Sequence, residues 1–587
     1  MAEINRNYTH YIEKIRKKKI IPLIKKINNI PATIDFNLHI WWAKKPNNII
    51  STLIKELSNE NEIILDPFIG SGVSAIETLK LNRKIIAFDI SKLAIFITKS
   101  IINCYNKSKF TNLFDKIVLN LQNKVYGTEH YKITDLYLTR CPICGKKSQF
   151  LYMVYDLDSP KWLRLMCTHN NRLKNIKKTT LDEDDFKLIN KCDNIEIPFW
   201  IPDVKLYKNT RINIHDHYSV KTFFTKRNLI AISILLHEIS QIEECLEKSL
   251  LYFIFSSILR KCSKLIGLKG GLSIGYWIPK IDRKENNPIL QFIKAKNKIL
   301  NNWQYFNKLE KNSQFATSYG ELIRGKQILI KQLPVQDLNN FVPKNSIDLV
   351  ITDPPYGDEV PYLELSALWS SWLKLMPSKD DFENEIVLSN SPYRPNKNPR
   401  TTLGLKNYKT MMEHAFKNIA LTLKPEHFAC IWFHELELPI WNIMIEAALK
   451  AGLIYVEQTY ISTSNIRSLK SKLTPFPTLT GHVLSFFIKL PDSPINFNDK
   501  NTIDQINYTK IDQLILDLAK SIIKKQGGSA TTNELYINAG LYNSGIISTL
   551  IKKNLLGIVS KKYNNLFSIF NKELQFNKND GKWYISN

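Results

Sequence analysis

The sequence predicts an α/β fold in which a doubly wound sheet is split by a long, mainly helical insert. Residues 61–91 have the order strand, tight turn, helix and strand, which is that of a parallel βαβ unit. The alternation of strands and helices stops near residue 105 and resumes near residue 328 with further apolar strands. A gap of that length exceeds a simple connection, so the intervening stretch is expected to form a domain.

At 587 residues the chain is too long for one hydrophobic core, and roughly two to four domains are expected. We predict the two halves of the main domain at 1–105 and 316–495, and the inserted region at 106–315. A small C-terminal α+β domain is predicted at 500–587. Its helices followed by a terminal hairpin suit a winged helix, and a packing appendage is the alternative.

The composition is strongly basic, with 81 Lys and Arg against 54 Asp and Glu and a formal net charge of +27. A field of that sign favours a polyanionic partner, either nucleic acid or an acidic membrane surface. Lys, Asn and Ile are abundant along the whole chain, so compositional bias accounts for part of the excess. The charge therefore supports nucleic-acid binding without proving it.

No segment has the pattern of a membrane span or a secretory signal. The most apolar runs, 229–236 and 250–255, are well short of the roughly 20 residues that a helical span needs. The N-terminal residues carry charges but no apolar core followed by a cleavage site. Eight cysteines in so long a chain do not make a disulfide scaffold, so a reducing, cytoplasmic setting is expected.

The turn "DPFIGSG" at 66–72 follows the first strand of the βαβ unit. Gly70 and Gly72 permit positive φ and let the backbone approach a ligand at the start of a helix. Asp89 ends the next strand, where an acid can accept both hydroxyls of a ribose. Position 75 is Ala, so this is not the nicotinamide pattern. Turn and acid together indicate a nucleoside ligand; a turn that only packs helix on strand is the alternative.

A second polar strand tip occurs at "IDLVITDPPY", residues 347–356. Proline fixes φ and lacks an N–H donor, so Pro354 and Pro355 end the apolar strand at its tip. Open α/β sheets bind their ligands at such tips, which makes Asp353 and Tyr356 candidate site residues.

Taken together, the two motifs resemble those of the amino-methylating DNA methyltransferases, which act on adenine N6 or cytosine N4. Those enzymes carry a Phe-x-Gly-x-Gly turn for S-adenosylmethionine and an Asp-Pro-Pro-Tyr at another strand tip. The resemblance covers about 35–105 and 320–490, and it implies a Rossmann-like methyltransferase sheet. It assigns cofactor binding to Asp66, Pro67, Phe68, Gly70, Gly72 and Asp89, and catalysis to Asp353, Pro354, Pro355 and Tyr356.

The resemblance also implies the chemistry of the second tip. An adenine N6 amino group is a poor nucleophile because its lone pair is delocalised into the ring. Asp353 would accept one amino hydrogen bond and the Pro354 carbonyl the other, so that the lone pair faces the sulfonium methyl. Tyr356 would stack on a base that has left the double helix, a contact worth roughly 1–3 kcal/mol.

The implied function is site-specific methylation of double-stranded DNA, with adenine N6 as the expected target, in a restriction-modification or defence context. The implied partners are DNA and a cognate restriction nuclease or defence-system subunits. The alternatives are an N4-cytosine enzyme, in which Ser more often replaces the Asp, and an RNA or protein-glutamine methyltransferase, which usually has Asn there. A further alternative is an inactive DNA-binding subunit.

The inserted region contains "CPICG" at 141–145, which has zinc-knuckle spacing, followed by Cys167 and His169. Cys141, Cys144, Cys167 and His169 would make a closed tetrahedral set, and hence a structural zinc site. Cys192 is a competing ligand, and cysteines without a metal are the alternative.

Three further features bear on the site. The segment "HIWWAKKP" at 39–46 either closes over the cofactor or supplies core tryptophans with solvated lysines. The strand before the second tip carries no acid until Asp337, so the contact to the cofactor adenine stays unassigned. The loop 389–409 carries Arg394, Lys397, Arg400, Lys406 and Lys409, and is expected to contact DNA phosphates.

Overall fold

The fold is given by a computed structural model of the 587-residue chain. The structure describes residues 10–33, 39–42, 44–206, 212, 214, 218–268, 277, 279–304, 314–357, 360–388, 402–462, 477, 479, 481–491, 507–537 and 545–586. Within these residues the predicted α/β class is confirmed. None of the described helices combines the length and the apolarity needed to cross a lipid bilayer.

Fifteen strands are found in the described residues, and they form three sheets. The strands are β1 Ile63–Asp66, β2 Lys84–Asp89, β3 Leu138–Arg140, β4 Lys147–Asp156, β5 Ser159–His169, β6 Arg172–Lys178, β7 Asp282–Asn286, β8 Ile328–Gln332, β9 Ile347–Thr352, β10 Leu423–Trp432, β11 Leu453–Ile461, β12 His482–Lys489, β13 Ala530–Thr531, β14 Leu574–Asn577 and β15 Lys582–Ile585.

Helices connect and cover the strands. The α-helices are Ile21–Asn28, Asn47–Leu57, Val73–Lys80, Lys92–Ile102, Lys107–Asn123, Glu183–Asn194, Lys226–Ser240, Leu246–Leu259, Pro288–Asn301, Tyr319–Ile323, Tyr362–Leu365, Ala367–Ser370, Lys379–Asn384, Thr402–Thr422, Leu438–Lys450, Tyr508–Lys525, Thr532–Tyr536, Ile546–Lys552, Leu556–Lys562 and Phe567–Phe570. A π-helical turn, Arg16–Ile20, and the 3₁₀ turns Ile133–Tyr137, Val220–Phe223, Arg260–Cys262 and Val335–Asn340 complete the set.

The main sheet has seven strands in the order β11-β12-β10-β9-β1-β2-β8. The five strands from β10 to β8 run parallel. At one side β12 pairs antiparallel with β10, and β11 pairs antiparallel with β12, so the sheet is mixed. Strands β1 and β2 come before residue 90 and the others after residue 327, so two distant stretches of the chain build one sheet. The carboxyl ends of β8, β2, β1 and β9 lie along one edge.

Both faces of this sheet are covered. The four residues of β1 are all buried, and successive side chains of a strand point to opposite faces. Ile64 accordingly belongs to one hydrophobic cluster and Leu65 to the other. A strand buried on both faces is a continuous apolar run, which is why "IILD" and "IDLVIT" were recognisable in the sequence.

The stretch between β2 and β8 is not purely helical. It holds a second sheet of five strands, in which β3 and β7 both pair with β4, and β5 and β6 follow. Among the described residues of this stretch, helical residues still outnumber strand residues, and the five-stranded sheet is the part of it that the sequence did not predict. Strand β6 is hard to recognise in the sequence because five of its seven residues are exposed and only Ile176 and Lys178 are buried.

The C-terminal residues form a small unit in which β13, β15 and β14 make a three-stranded sheet beside several short helices. The helix Ile546–Lys552 packs on β11 of the main sheet. There the buried Glu457 carboxylate accepts ion pairs from Lys552 at 2.8 Å and from Arg16 at 2.7 Å, and a hydrogen bond from the Ser548 hydroxyl. This face of the unit is therefore used for packing within the chain.

Candidate functional site

A cleft lies at the carboxyl ends of β8, β2, β1 and β9, where an open α/β sheet places its ligand. It encloses about 900 Å³ of non-protein space that is open to solvent. The residues predicted from the sequence that line it are Asp66, Pro67, Phe68, Gly70, Asp89, Asp353 and Pro355. The lining does not include Gly72, Pro354 or Tyr356. The two motifs thus meet in one cleft, although they are far apart in the sequence.

The glycine turn is fixed by conformation and by contact. Gly70 and Gly72 have φ of 51° and 80°, in the left-handed region that favours glycine. A Cβ on Gly70 would lie 2.6 Å from the Nε1 atom of Trp41, so a larger residue would displace the indole. The Gly70 N–H donates to the Asp89 carboxylate at 2.9 Å, which ties the turn to the end of β2.

Burial shifts the pKa values of two carboxyl groups at this edge toward pH 7. Burial raises the pKa of Asp89 to about 7, although hydrogen bonds from the N–H groups of Ser91 and Gly70 act against the shift. Burial likewise raises the pKa of Asp66 to about 6, against hydrogen bonds from Ser74 and Thr352. A ligand that donates hydrogen bonds to either group favours its charged form.

The second tip is organised around Asp353. Its Oδ2 atom forms an ion pair with Lys45, whose side chain is 7% exposed, while the Asp353 side chain is 19% exposed. Its Oδ1 atom is buried and accepts no hydrogen bond within the described part of the chain. Burial raises the pKa of Asp353, and the attraction of Lys45 lowers it. One oxygen is therefore held by the protein and the other is left as an acceptor beside the cleft.

The backbone after Asp353 is held by Tyr408, whose side chain is buried. The Tyr408 hydroxyl donates to the Pro355 carbonyl at 3.0 Å and accepts from the Gly357 N–H at 3.2 Å. Tyr356 lies between these two points and makes an edge contact with Phe433, with ring centroids 5.4 Å apart. The tyrosine of the motif is thus directed toward the core side of the tip.

The segment 39–46 contributes more to the cleft than the sequence indicated. Trp41 lines the cleft and stacks on Tyr362, with ring centroids 5.9 Å apart and planes at 21°. Lys44 and Lys45 line it as well, and neither is a solvated surface residue. Burial lowers the pKa of Lys44 to about 8. The interpretation as solvated lysines was wrong.

Sequence reasoning also missed the far wall of the cleft. Leu333, Pro334, Val335 and Gln336 follow β8 and line it, whereas the exposed Asp337 does not. In a parallel sheet the turns that follow the strands all lie at the same edge. The turn "LPVQ" after β8 could therefore have been identified from the sequence as part of this wall.

The four predicted metal ligands come together. Atoms Sγ of Cys141, Cys144 and Cys167 and the His169 ring nitrogen all lie within 4.8 Å of one another. Cys141 Sγ is 3.4 Å from His169 Nε2, and Cys144 Sγ is 3.6 Å from Cys167 Sγ. Ligands around tetrahedral zinc are about 3.4–3.8 Å apart, given its bond lengths, so the set fits the ion.

The competing ligand Cys192 is not part of this cluster. It is buried in the helix Glu183–Asn194, and burial raises the pKa of its thiol to about 11. Of the basic loop 389–409, residues 389–401 lie outside the described residues, and with them Arg394, Lys397 and Arg400. Lys406 is exposed, and Lys409 forms an ion pair with Glu446 instead of remaining available to a ligand.

Comparison with known proteins relates the first part of the chain to DNA methylases. Residues 11–100 match the family model described as DNA methylase, of the N6/N4 type. The chain is 38% identical over 61 residues to the Type II methyltransferase M2.LlaDCHI of Lactococcus lactis subsp. cremoris, which covers 10% of this chain and 23% of that protein. It is 37% identical over 75 residues to the Type II methyltransferase M.HindIII of Haemophilus influenzae, covering 11% and 24%.

The chain spans about a quarter of the length of these curated relatives. A solved structure described as a putative DNA modification methylase from Thermus thermophilus is 10% identical, with a TM-score of 0.16, and covers 31% of this chain and 62% of that one. So low a score carries no inference. The predicted resemblance to amino-methylating DNA methyltransferases is confirmed by the family match and the relatives. The matched segment includes the turn 66–72 and ends before the tetrapeptide 353–356.

Replacing Tyr408 with Phe is expected to loosen the tip after Asp353. The change leaves the Pro355 carbonyl and the Gly357 N–H without their partner, at a cost of about 1–3 kcal/mol in the free energy of unfolding. Hydrogen exchange should accelerate in the peptide that contains Gly357, and chemical denaturation should show the loss of stability. Tyr11→Phe, which removes an exposed hydrogen bond to Glu426, is the control. Unchanged hydrogen exchange in Tyr408→Phe would contradict the role assigned to the two hydrogen bonds of the Tyr408 hydroxyl.

Proposed function

We propose that this chain is an S-adenosylmethionine-dependent DNA methyltransferase that methylates an exocyclic amino group, with adenine N6 as the expected target. The single observation that carries the proposal is the cleft that is lined both by the glycine turn of the family-matched segment and by Asp353. The main domain would be a Rossmann-like methyltransferase sheet divided between 1–105 and 316–495, with the region 106–315 inserted and the unit 500–587 appended.

The residues of the turn fit the proposed cofactor. The bound cofactor supplies an electrophilic sulfonium methyl group. Asp89 at the end of β2 is positioned to accept hydrogen bonds from ribose hydroxyls, and Gly70 allows Trp41 to pack against the turn beside it. Trp41 and the segment 333–336 provide apolar walls on either side of the cleft. Asp66, Pro67 and Phe68 complete the proposed cofactor wall, and Gly72 sets the helix start behind it.

Asp353 would activate the amino group. Its buried Oδ1 can accept one amino N–H, and the Pro354 carbonyl can accept the other, so the nitrogen lone pair points toward the methyl group. Lys45 holds Oδ2, and its attraction opposes the rise that burial causes in the pKa of Asp353. An amino nitrogen that accepts a methyl group must lose a proton, and the Asp353 oxygen hydrogen-bonded to that nitrogen would be placed to receive it.

The role of Tyr356, the restriction-modification context and the choice of adenine each rest on a separate observation. Tyr356 is proposed to stack on the extruded base, which requires its ring to turn from its contact with Phe433. Both relatives carry the name Type II methyltransferase, which supports a restriction-modification context and a cognate nuclease as partner. Adenine is favoured over cytosine only because Asp, and not Ser, occupies position 353.

A structural zinc ion is also proposed, held by Cys141, Cys144, Cys167 and His169. The ligands come from the turn between β3 and β4 and from the end of β5, so the ion would join two hairpins of the inserted sheet. A closed set of four protein ligands leaves no position for catalysis.

Transfer of labelled methyl groups from S-adenosylmethionine to DNA is the direct test of the proposed activity. Asp353→Ala is expected to lower the rate about 100-fold or more, because it removes the charged acceptor aimed at the reacting nitrogen. Asp337→Ala changes an exposed acid outside the cleft and should leave the rate unchanged. Nucleoside analysis of the product distinguishes adenine N6 from cytosine N4. Label on RNA or protein, with none on DNA, would refute the proposal.

Cofactor affinity is expected to rise with pH and level off above about 7. The pKa of Asp89 is raised to about 7 by burial, so the acid is protonated below that pH, whereas binding to ribose hydroxyls requires the charged form. Binding then releases a proton, and affinity should fall by up to about tenfold per pH unit below 7. Calorimetry between about pH 5.5 and 8.5 measures this. Asp89→Asn should bind weakly at every pH; the same slope in that variant would exclude Asp89 as the cause.

Purified chain is expected to contain one zinc ion per molecule by elemental analysis. Cys144→Ser and Cys167→Ser should lose the metal and lower the melting temperature, because the ion joins two hairpins. Cys245→Ser is the control, since Cys245 lies outside the cluster at the start of the helix Leu246–Leu259. Metal-free protein whose melting temperature does not respond to Cys167→Ser would show that no zinc site exists.

A further inference from the structure

The outward face of the inserted sheet combines basic and aromatic side chains. Across the ladder, Lys177 of β6 lies opposite Arg164 of β5, which lies opposite Tyr152 of β4. In the next row, Trp162 of β5 and Lys284 of β7 are both paired with Val154 of β4. This set, Tyr152, Trp162, Arg164, Lys177 and Lys284, is called the basic face.

The rings of the basic face hold its cations in place. Lys177 Nζ lies 4.5 Å from the centroid of the Trp162 ring, and Lys284 Nζ lies 4.9 Å from that of Tyr152. The two rings make an edge contact with centroids 6.0 Å apart. Cation–π contacts of this kind restrict the lysine side chains without neutralising them, so the charges remain available to a partner.

The cations of the basic face lack acidic partners. Arg164 bonds only the neutral Asn175, at 3.2 Å, and among the described residues no acid lies within ion-pair distance of Arg164, Lys177 or Lys284. Like charges directly opposite each other in a sheet, such as Arg164 and Lys177, are destabilising. The cation–π contacts offset part of this repulsion but do not neutralise the charges.

The inner face of the same sheet shows the contrast. There Lys178 pairs with Asp185 at 2.6 Å, Arg283 with Asp158 at 2.6 Å, and Arg227 approaches Glu285 at 3.6 Å. Acids do occur at one end of the basic face, where Asp156 lies opposite Asp282, and Asp156 is 3.8 Å from Lys161. The centre of the face carries cationic and aromatic side chains and no acid among the described residues.

We propose that the basic face binds the phosphate backbone of double-stranded DNA outside the catalytic cleft. The inference rests on the proposed function for the identity of the polyanion, and on charge complementarity for the place of contact. Arg and Lys on a fixed sheet contact phosphates without reading bases, so the face would position the duplex and contribute affinity that is independent of sequence.

The test measures DNA binding by the full chain as a function of salt. The triple variant Arg164→Gln, Lys177→Gln, Lys284→Gln is compared with a control triple of exposed helical lysines, Lys55→Gln, Lys116→Gln, Lys524→Gln, which removes the same charge. The probe is a fluorescent random-sequence duplex of about 30 base pairs, titrated by anisotropy between about 50 and 200 mM KCl. The slope of log K against log salt is negative, and each lost phosphate contact should reduce its magnitude by about 0.9.

The basic-face triple variant should reduce the magnitude of that slope by about 2–3, and the control triple variant should leave it near the wild-type value. Equal slopes in both triples, or a loss confined to single-stranded RNA of the same length, would overturn the proposal. If the triple variant does not fold, Lys177→Gln alone is measured, and the magnitude of its salt slope should be about one smaller than that of the wild type.

Methyl transfer is measured separately on the same proteins, so that the two proposals fail independently. A wild-type chain that transfers no methyl group, but whose salt slope depends on the basic face, contradicts the proposed activity and supports the surface. A basic-face variant that methylates less but keeps the full salt slope contradicts the surface.

Discussion

The Asp66 carboxylate is the interaction on which the rest of the site depends. One oxygen accepts from Ser74, at the start of the helix after the glycine turn, and the other accepts from Thr352 at 2.9 Å. Thr352 lies 286 positions away in the sequence and directly precedes Asp353. A single buried group therefore links the glycine turn to the end of β9, in addition to the backbone pairing that holds β1 and β9 side by side.

What could be predicted from the sequence follows from the same geometry. The ends of β1, β2 and β9 were evident because each is an apolar run stopped by an acid or a proline. The ion pair between Lys45 and Asp353 could not be predicted, since it joins residues 308 positions apart and a lysine before a helix gives no sign of burial. The direction of Tyr356 toward Phe433 likewise depends on packing that a four-residue motif does not specify.

The inserted region shows where period-based reasoning is weakest. Its strands carry charges on the outward face, so the alternation that identifies a half-buried strand is hidden in β6, where exposed residues dominate. The spacing of Cys141 and Cys144 was informative because a short turn fixes both ligands, whereas Cys167 and His169 had to be brought in by a strand that was not predicted. Cys192 lies outside the cluster that Cys141, Cys144, Cys167 and His169 form, which removes the ambiguity over the fourth ligand.

The Glu457 carboxylate is shared by cations from opposite ends of the chain, Arg16 and Lys552. If the C-terminal unit opened locally, Arg16 would remain as the main counter-charge of a carboxylate whose side chain is only 4% exposed. Loss of Lys552 from this carboxylate therefore changes the electrostatic environment of Arg16, so the two segments are energetically linked through one shared acid.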